Sequence, residues 1–451
     1  MQRPERERAE SAARQEAAQL TALGVQAVAL TWVDNAGITR VKAVPTARLA
    51  HAARWGVGMS PVFDVYLTDD SSVTSPYTGG PDGDLRLFPD LGRLTVLGAR
   101  RGWAWAPADR FEQDGRPYAG CQRGFARRMA ARAAERGLRL RMGFETEWVV
   151  ARRDGSGPGG PPGAGPAYGM ARLVELSDYL RDVLDALTAQ RVEVLQLHPE
   201  YTPGQFEVSV APADPVGAAD LAVLVRETVR AVSLAHGLDA LFGPVVAPDT
   251  VGNGAHLHLS LLRGERNLCR GGDGPCGMTA ECAAFLAGVL RELPALLALG
   301  APSPASHLRL RPSRWAGAYA CWGPENREAA LRFIPGPPDA EDQANAEVKC
   351  FDGAANPYLV TGAVLAAGLA GIAAGGTLPP PVAGDPAHGV GHERLPDSPA
   401  AALDRFVRSA VLREALGDPL FEAVAAVRRG EIERYEGATA EELAAATRGR
   451  Y

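Results

Sequence analysis

Glutamate and histidine residues occur in pairs two positions apart, within short stretches that are otherwise apolar. His256 and His258 lie in GNGAHLHLS, and Glu145 and Glu147 lie in FETEW. Side chains two apart on a β-strand point to the same face of the sheet, so each pair is predicted to face one site. Two adjacent carboxylates repel and are costly to bury unless a cation lies between them. The pairs therefore indicate a cation or anion site or, alternatively, polar strand faces with ordinary partners.

Three further glutamates extend this set. Glu200 and Glu207 bracket the Pro-Gly turn of HPEYTPGQFE, and Glu347 lies in AEVKC. Carboxylates with an imidazole suit Mg²⁺ or Mn²⁺, and Mg²⁺ commonly works with nucleotide phosphates. The sequence contains no GxxxxGK[ST] phosphate loop, so metals, histidine and arginines would have to hold the phosphates. The guanidinium groups available in LRLRPSRW and PENREAALRF belong to Arg309, Arg311, Arg314, Arg327 and Arg332.

The surrounding pattern predicts an α+β protein of two domains. A charged helix at about residues 5–22 precedes VQAVALTWVDNAGITRVKAVP, which is typical of a hairpin turning at DNAG. With the strands in DLRLFPD and LTVLG, this predicts a small β-rich domain over residues 1–115. In residues 116–451 helices alternate with strands such as RLRMGFETEWVVAR and QFEVSVAP. The Gly/Pro-rich residues 152–169 are predicted to form a flexible loop.

Bulk composition narrows the class of protein. The 451 residues are 46% hydrophobic and 22% charged, as in soluble globular proteins, and the net charge of -6 argues against nucleic-acid binding. No apolar run approaches the roughly 18 residues of a membrane span, and the charged N-terminus lacks the apolar core of a secretion signal. We therefore expect a cytoplasmic protein with small-molecule partners. Six cysteines without CxxC spacing indicate buried thiols rather than a zinc ribbon.

Five blocks resemble, in order, the signature sequences of the glutamine synthetase family: FETE, HPEYTPGQFE, GNGAHLHLS, LRLRPSRWAGAYACWGPENREAALR and AEVKCFDGAANPYLVTGAVLAAGLAGI. The resemblance covers nearly the whole chain. It implies an N-terminal β-grasp-like domain and a catalytic domain whose antiparallel half-barrel sheet is flanked by helices. It also implies a homo-oligomer, commonly a dodecamer of two hexameric rings, with active sites between subunits. The implied reaction is ATP-dependent: the γ-carboxylate of glutamate is phosphorylated with the aid of two or more Mg²⁺ or Mn²⁺ ions, and an amine attacks the acyl phosphate.

The resemblance also implies roles for individual residues. The implied metal ligands are Glu147, Glu200 and Glu207 nearer the glutamate, and Glu145, His256 and Glu347 at the phosphates. The implied nucleotide-binding residues are His258, Ser260 and Arg332, and the implied substrate-binding residues are Gly252, Arg309 and Lys349. The implied catalytic residues are Arg327, Trp315 and Asp64, the last preferred over Asp69 because Phe63 precedes it.

Three positions depart from the family pattern. Three residues after Pro312, glutamine-forming members carry a glutamate that binds and deprotonates ammonium, whereas this chain has Trp315. An indole offers an apolar or cation–π wall and takes no proton, which indicates an acceptor larger than ammonia. Lys349 stands where an arginine usually binds glutamate, so glutamate is the default acid and another carboxylate is the alternative. Asn345 stands where an ATP-contacting arginine is usual.

The leading hypothesis is therefore a glutamate–amine ligase with a non-ammonia acceptor, similar to the polyamine-, ethanolamine- or alkylamine-using branch of the family. The first alternative is a true glutamine synthetase, which Trp315 disfavours. The second is a catalytically silent scaffold with the same fold. A silent relative is expected to lose metal ligands, whereas all six ligand positions are kept in this sequence.

Overall fold

The computed structural model describes residues 3–153, 162–389 and 391–451. Of the segment predicted to be a flexible loop, residues 154–161 lie outside the described residues. The strands are β1 (Ala27–Val33), β2 (Thr39–Pro45), β3 (Val57–Met59), β4 (Leu85–Pro89), β5 (Thr95–Val96), β6 (Trp103–Glu112), β7 (Arg139–Arg152), β8 (Val194–Pro199), β9 (Gln205–Val210), β10 (Leu238–Leu241), β11 (Leu257–Arg263), β12 (Arg266–Asn267), β13 (Tyr319–Pro324), β14 (Ala329–Ile334) and β15 (Asn345–Val348). The helices are α1 (Arg3–Ala22), α2 (Leu49–Trp55), α3 (Gln122–Glu135), α4 (Met170–Glu175), α5 (Ser177–Ala189), α6 (Pro215–Ala235), α7 (Ala280–Gly300), α8 (Ser306–Arg309), α9 (Pro357–Ala373), α10 (Pro399–Arg408), α11 (Ala410–Leu416), α12 (Asp418–Arg434) and α13 (Ala440–Thr447).

The first sheet contains β1 to β6, in the order β2-β1-β6-β4-β3 with β5 also paired to β6. The predicted leading helix and hairpin are confirmed, since α1 precedes antiparallel β1 and β2. β1 runs parallel to β6, whereas the other pairs are antiparallel. Apolar side chains of β1, α1 and α2 form one core. The domain boundary near residue 115 stays a prediction.

The second sheet has nine strands in the described chain, in the order β13-β14-β15-β11-β7-β9-β8, with β10 on β7 and β12 on β11. Neighbours are antiparallel, as expected, except at one edge, where β13 and β14 are parallel. Along β11, Leu257, Leu259 and Leu261 are buried in the helix-covered core. His258 and Ser260 alternate with them and lie on the opposite face. The predicted α+β class is confirmed.

Helix α7 is long and apolar enough to cross a membrane by length and composition, although the charged Arg291 and Glu292 interrupt its apolar run. An 18-residue window of α7 has a mean hydropathy of 1.7. However, 83% of the apolar window is buried inside the protein, where α7 packs along α9. Among the described helices this is the one that meets the criterion, and its burial identifies it as a core helix. The six cysteines are free thiols, and all but Cys276 are buried.

The turn between β1 and β2 fits closely against the loop before α9. Gly37 has φ +86°, and a Cβ added there would lie 1.8 Å from the carbonyl oxygen of Ala354. Asn356 holds the turn from the other side, because its Nδ2 donates to the carbonyls of Val33 and Asp34, both at 3.0 Å. Its Oδ1 meanwhile caps α9 by accepting from two backbone amides. The buried side chain of Asn356 therefore joins the β1–β2 turn of the first sheet to helix α9, which covers the second sheet.

Replacing Asn356 with alanine is expected to lower the free energy of unfolding by about 2–4 kcal/mol, since it removes a helix cap and leaves two buried carbonyls unsatisfied. Asn356→Asp keeps the capping oxygen and isolates the loss of the two donated bonds. Thr439→Ala removes the exposed cap of α13 and should cost only about 1 kcal/mol. Urea unfolding followed by circular dichroism measures the free energy of unfolding of all three variants. Equal decreases in Asn356→Ala and Thr439→Ala would contradict the role of Asn356 in holding the β1–β2 turn against α9.

Candidate active site

The open face of the second sheet lines a cavity of about 780 Å³. The alternation of β7 that buries Phe144 and Trp148 turns Glu145 and Glu147 towards this cavity, as their spacing predicted. The other predicted site residues that line it are Glu200, Glu207, Gly252, His256, Arg309, Trp315, Arg327, Arg332, Glu347 and Lys349.

One group of ligand-type side chains, here called the Glu145 cluster, consists of Glu145, His256, His258 and Glu347. His258 lies directly opposite Glu347 in the pairing of β11 with β15. The Nε2 atom of His258 is 3.0 Å from one oxygen of Glu145, and Nδ1 of His256 is 2.8 Å from the other. Nδ1 of His256 is also 3.2 Å from Glu347. Both imidazoles therefore contact the same carboxylate.

Cationic side chains balance the charge of the Glu145 cluster. Lys349 Nζ and Arg332 Nη1 each lie 3.0 Å from an oxygen of Glu347. Burial opposes ionisation of Glu347, yet Lys349 and the two histidines lower its pKa to about 2. Burial also lowers the pKa of His258, but its bond to Glu145 and the nearby Glu347 charge outweigh this and raise it to about 9. These carboxylates are therefore held ionised by the protein's own cations.

A second group, here called the Glu207 cluster, consists of Glu147, Glu200, Glu207 and His198. In the antiparallel pairing, Glu207 of β9 stands opposite both Glu147 of β7 and His198 of β8. His198 Nε2 is 3.3 Å from Glu207, and its Nδ1 is 3.6 Å from Glu200. One ligand atom each from His198, Glu200 and Glu207 lies within 4.8 Å of the others. Like charges directly opposite each other destabilise a sheet unless they are neutralised.

The Glu207 cluster is short of positive charge. Burial, with the charges of Glu145 and Glu147, raises the pKa of Glu207 to about 7. Burial and Glu147 also raise the pKa of Glu200. The hydrogen bond to Glu207 raises the pKa of His198 to about 9, and His256 Nε2 lies 3.8 Å from Glu147, but two imidazoles face three carboxylates. Such an oxygen-rich, undercompensated set fits a hard divalent cation such as Mg²⁺ or Mn²⁺.

The cavity wall beside these clusters suits a carboxylate ligand. Arg309 is 6% exposed; its Nη2 contacts His256 Nε2 at 3.0 Å, and its Nη1 has no hydrogen-bond partner within the described residues. Gly252 lies against it, and a Cβ on Gly252 would come within 2.1 Å of the carbonyl of Pro244 and 2.9 Å of Arg309 Cγ. The glycine therefore leaves room that any larger residue would fill.

Three predicted site residues do not line this cavity in the described chain. His258 belongs to the Glu145 cluster, and its Nδ1 donates to Asn345 Oδ1 at 2.9 Å. Ser260 donates to the carbonyl of Ala344 at 2.9 Å. Asp64 is 1% exposed and bound by Arg110 at 2.7 Å, which counts against a role in proton transfer. Its alternative, Asp69, is bound by Arg434.

The structure adds residues that the sequence prediction omitted. His198 precedes Glu200 by two positions, the same spacing that identified the other pairs, so the signal was present in the sequence. Gln205 is fully buried and donates from Nε2 to Glu147 at 2.9 Å. Tyr168 donates to Glu200 at 2.7 Å from the end of the Gly/Pro-rich segment, and only the fold places it there. Both fix the orientation of a carboxylate.

Known proteins resemble this chain over most of its length. Residues 119–444 match the family model described as glutamine synthetase, catalytic domain. The gamma-glutamylpolyamine synthetase GlnA3 of Streptomyces coelicolor is 55% identical over 443 residues, covering 96% of this chain and 95% of that protein. A solved structure described as a novel glutamine synthase homolog has a TM-score of 0.86 at 33% identity, covering 95% of this chain and 99% of that one. The solved structure of a GmaS/ADP complex has a TM-score of 0.82 at 28% identity, covering 94% of this chain and 96% of that one.

Replacing Glu207 with glutamine is expected to weaken Mn²⁺ binding by about tenfold or more, because it removes one negative charge from the undercompensated cluster. The amide keeps the shape of the side chain, so the fold should be retained. Mn²⁺ titration followed by electron paramagnetic resonance measures the loss without any turnover. Glu265→Gln, which changes an exposed glutamate on the loop after β11, is the matched control; equal affinities in the two variants would contradict a metal site here.

Proposed function

The chain belongs to the glutamine synthetase family, and we propose that it joins the γ-carboxylate of glutamate to an amine other than ammonia, at the expense of ATP. The proposal that the amine is not ammonia rests on Trp315. Its side chain is 55% exposed and lines the cavity that contains the two carboxylate clusters. The family's ammonium-binding acid is thus replaced by an indole, which favours an acceptor with apolar or cationic surface to pack on it.

The chemistry needs two nucleophilic steps. A γ-carboxylate oxygen of glutamate attacks the terminal phosphorus of ATP and ADP leaves; the amine nitrogen then attacks the acyl carbon and displaces phosphate. Two or more Mg²⁺ or Mn²⁺ ions, held by the Glu145 and Glu207 clusters, would supply positive charge to the phosphates and the carboxylate. Arg327 and Arg332 line the same cavity and add fixed positive charge where the phosphoryl group passes.

Arg309 and Gly252, on the wall of the same cavity, are suited to position the acid substrate. Nη1 of Arg309, which has no partner among the described residues, is suited to donate to the α-carboxylate of glutamate, with Gly252 leaving space for its backbone atoms. Lys349 lines the same cavity but is only 3% exposed and paired with Glu347, which balances its charge. This arrangement supports glutamate as the acid donor.

The assembly and location are proposed from the family alone. Members use ATP and divalent metals, and we propose a homo-oligomer, a dodecamer of two hexameric rings, working in the cytoplasm on small molecules. A silent scaffold is disfavoured, because both carboxylate clusters retain their full set of ligand-type side chains. A true glutamine synthetase is disfavoured by Trp315 and by the name of the 55% identical relative, which acts on a polyamine.

Phosphate release from ATP, measured with glutamate and a panel of amines that includes ammonia, is the direct test. We expect alkylamines or polyamines to drive release faster than ammonia, because the indole wall stabilises their carbon chains. Reactions without glutamate, and with Mg²⁺ or Mn²⁺, serve as controls. Release driven by ammonia alone would contradict the proposal in favour of glutamine synthesis. Absence of release with every amine, in both Mg²⁺ and Mn²⁺, would favour a different acid donor or the silent scaffold.

Changing Trp315 to glutamate is expected to shift preference towards ammonia, because it restores a carboxylate at the position where the family binds ammonium. The ratio of kcat/KM for ammonia to that for the best amine should rise about tenfold or more. Trp315→Phe keeps an aromatic wall and should change this ratio by less than about threefold. Glu147→Ala should abolish turnover with every amine. An unchanged ratio in Trp315→Glu would remove Trp315 from the acceptor site.

A further inference from the structure

A second cavity, of about 510 Å³, adjoins the first at Trp315. Trp315 and Arg327 line both cavities, so the indole stands between them. The rest of the wall of the second cavity is formed by the loop that joins β13 to β14 and by the segment 381–384. Its volume is within the range of small-molecule sites. A molecule that extends past Trp315 from the catalytic cavity would enter this space.

Glu328 is the buried charged group of this second cavity. It is 7% exposed and follows Arg327 on the loop between β13 and β14. One oxygen, Oε1, accepts a hydrogen bond from the backbone amide of Trp315 at 2.7 Å. The other, Oε2, is buried and has no hydrogen-bond partner among the described residues. A buried, unsatisfied carboxylate oxygen is costly, and a donor that reaches it from the cavity recovers that free energy.

Other charges near Glu328 leave the cavity suited to a cation. Burial and the charge of Asp385 raise the pKa of Glu328, while the hydrogen bond from the backbone amide of Trp315 and the charge of Lys349 favour its ionised form. Glu325, on the same wall, has a half-exposed carboxylate paired with Arg332. Arg327 is exposed at the opening shared by the two cavities. The innermost polar group is therefore an acceptor, and a cation deep in the cavity is favoured over an anion.

We propose that the second cavity binds the far end of a diamine or polyamine acceptor, whose distal ammonium group donates to Glu328 Oε2. The carbon chain then lies along the indole of Trp315, and the near amino group faces the acyl carbon in the catalytic cavity. This inference rests on the proposed function. The distal contact makes a charge-assisted hydrogen bond, and the indole adds a cation–π contribution. A monoamine of equal length cannot satisfy the buried oxygen.

The test compares two acceptors of the same length, 1,4-diaminobutane and n-butylamine, in the full-length enzyme. Glu328→Gln is expected to raise the KM for 1,4-diaminobutane about tenfold and to change that for n-butylamine by less than about threefold. Ser313→Ala is the matched control, because it removes the 2.6 Å bond from Ser313 Oγ to Asp385, which also holds the segment of Trp315, without changing a charge. Ser313 does not line the second cavity in the described chain, so its variant should leave the ratio of the two KM values unchanged.

Ala383→Trp tests whether the diamine enters the second cavity, and it leaves every charged residue unchanged. Ala383 is exposed on the cavity wall, so the bulky side chain should fill the space while the protein still folds. We expect it, too, to raise the KM for the diamine selectively. Equal losses for both amines in Glu328→Gln would show that Glu328 only anchors the loop, and unchanged values in both variants would overturn the second cavity as a binding site. Turnover with ammonia but with neither amine would instead defeat the proposed function itself.

Discussion

Electrostatic repulsion among five glutamate carboxylates on one face of a sheet is the constraint on which the rest of the structure depends. Glu147 and Glu207 stand directly opposite each other, an arrangement that opposes pairing of the strands. Packing on the other face offsets this, since Phe144, Leu257 and Leu259 are buried under the long helices α7 and α9. The apolar side of the sheet thus stabilises a polar side that could not exist alone.

The negative charges of the two carboxylate clusters are balanced in different ways. In the Glu145 cluster, two histidines, Lys349 and Arg332 neutralise the carboxylates within the chain. In the Glu207 cluster, His198 contacts Glu207 and His256 Nε2 lies 3.8 Å from Glu147, yet Glu207 keeps a pKa of about 7. The first cluster is therefore preorganised without added ions, whereas the second gains most from a bound divalent cation. The two proposed metal sites are therefore expected to differ in affinity.

Much of this site was predictable from strand periodicity, because side chains two apart share a face whatever the tertiary structure. FETEW and HLHLS were placed correctly on that basis, and the hairpin at DNAG followed from its turn residues. Periodicity carries no information on register between strands, so the opposition of His198 to Glu207 could not be derived. Nor could the position of Glu328, which depends on a loop between two strands that run parallel. Length and hydropathy alone do not distinguish α7 from a membrane span, since burial of an apolar helix depends on what packs around it.

The fit between the β1–β2 turn and the loop before α9 limits how this protein can be recombined. Gly37 leaves no space for a side chain against Ala354, and Asn356 binds the carbonyls on both sides of the same corner. A chimera that takes its first sheet from a relative must carry a turn of matching shape, or receive the facing loop from the same parent. Libraries that alter the acceptor pocket are better confined to the segments around Trp315 and Ala383, which lie outside this junction.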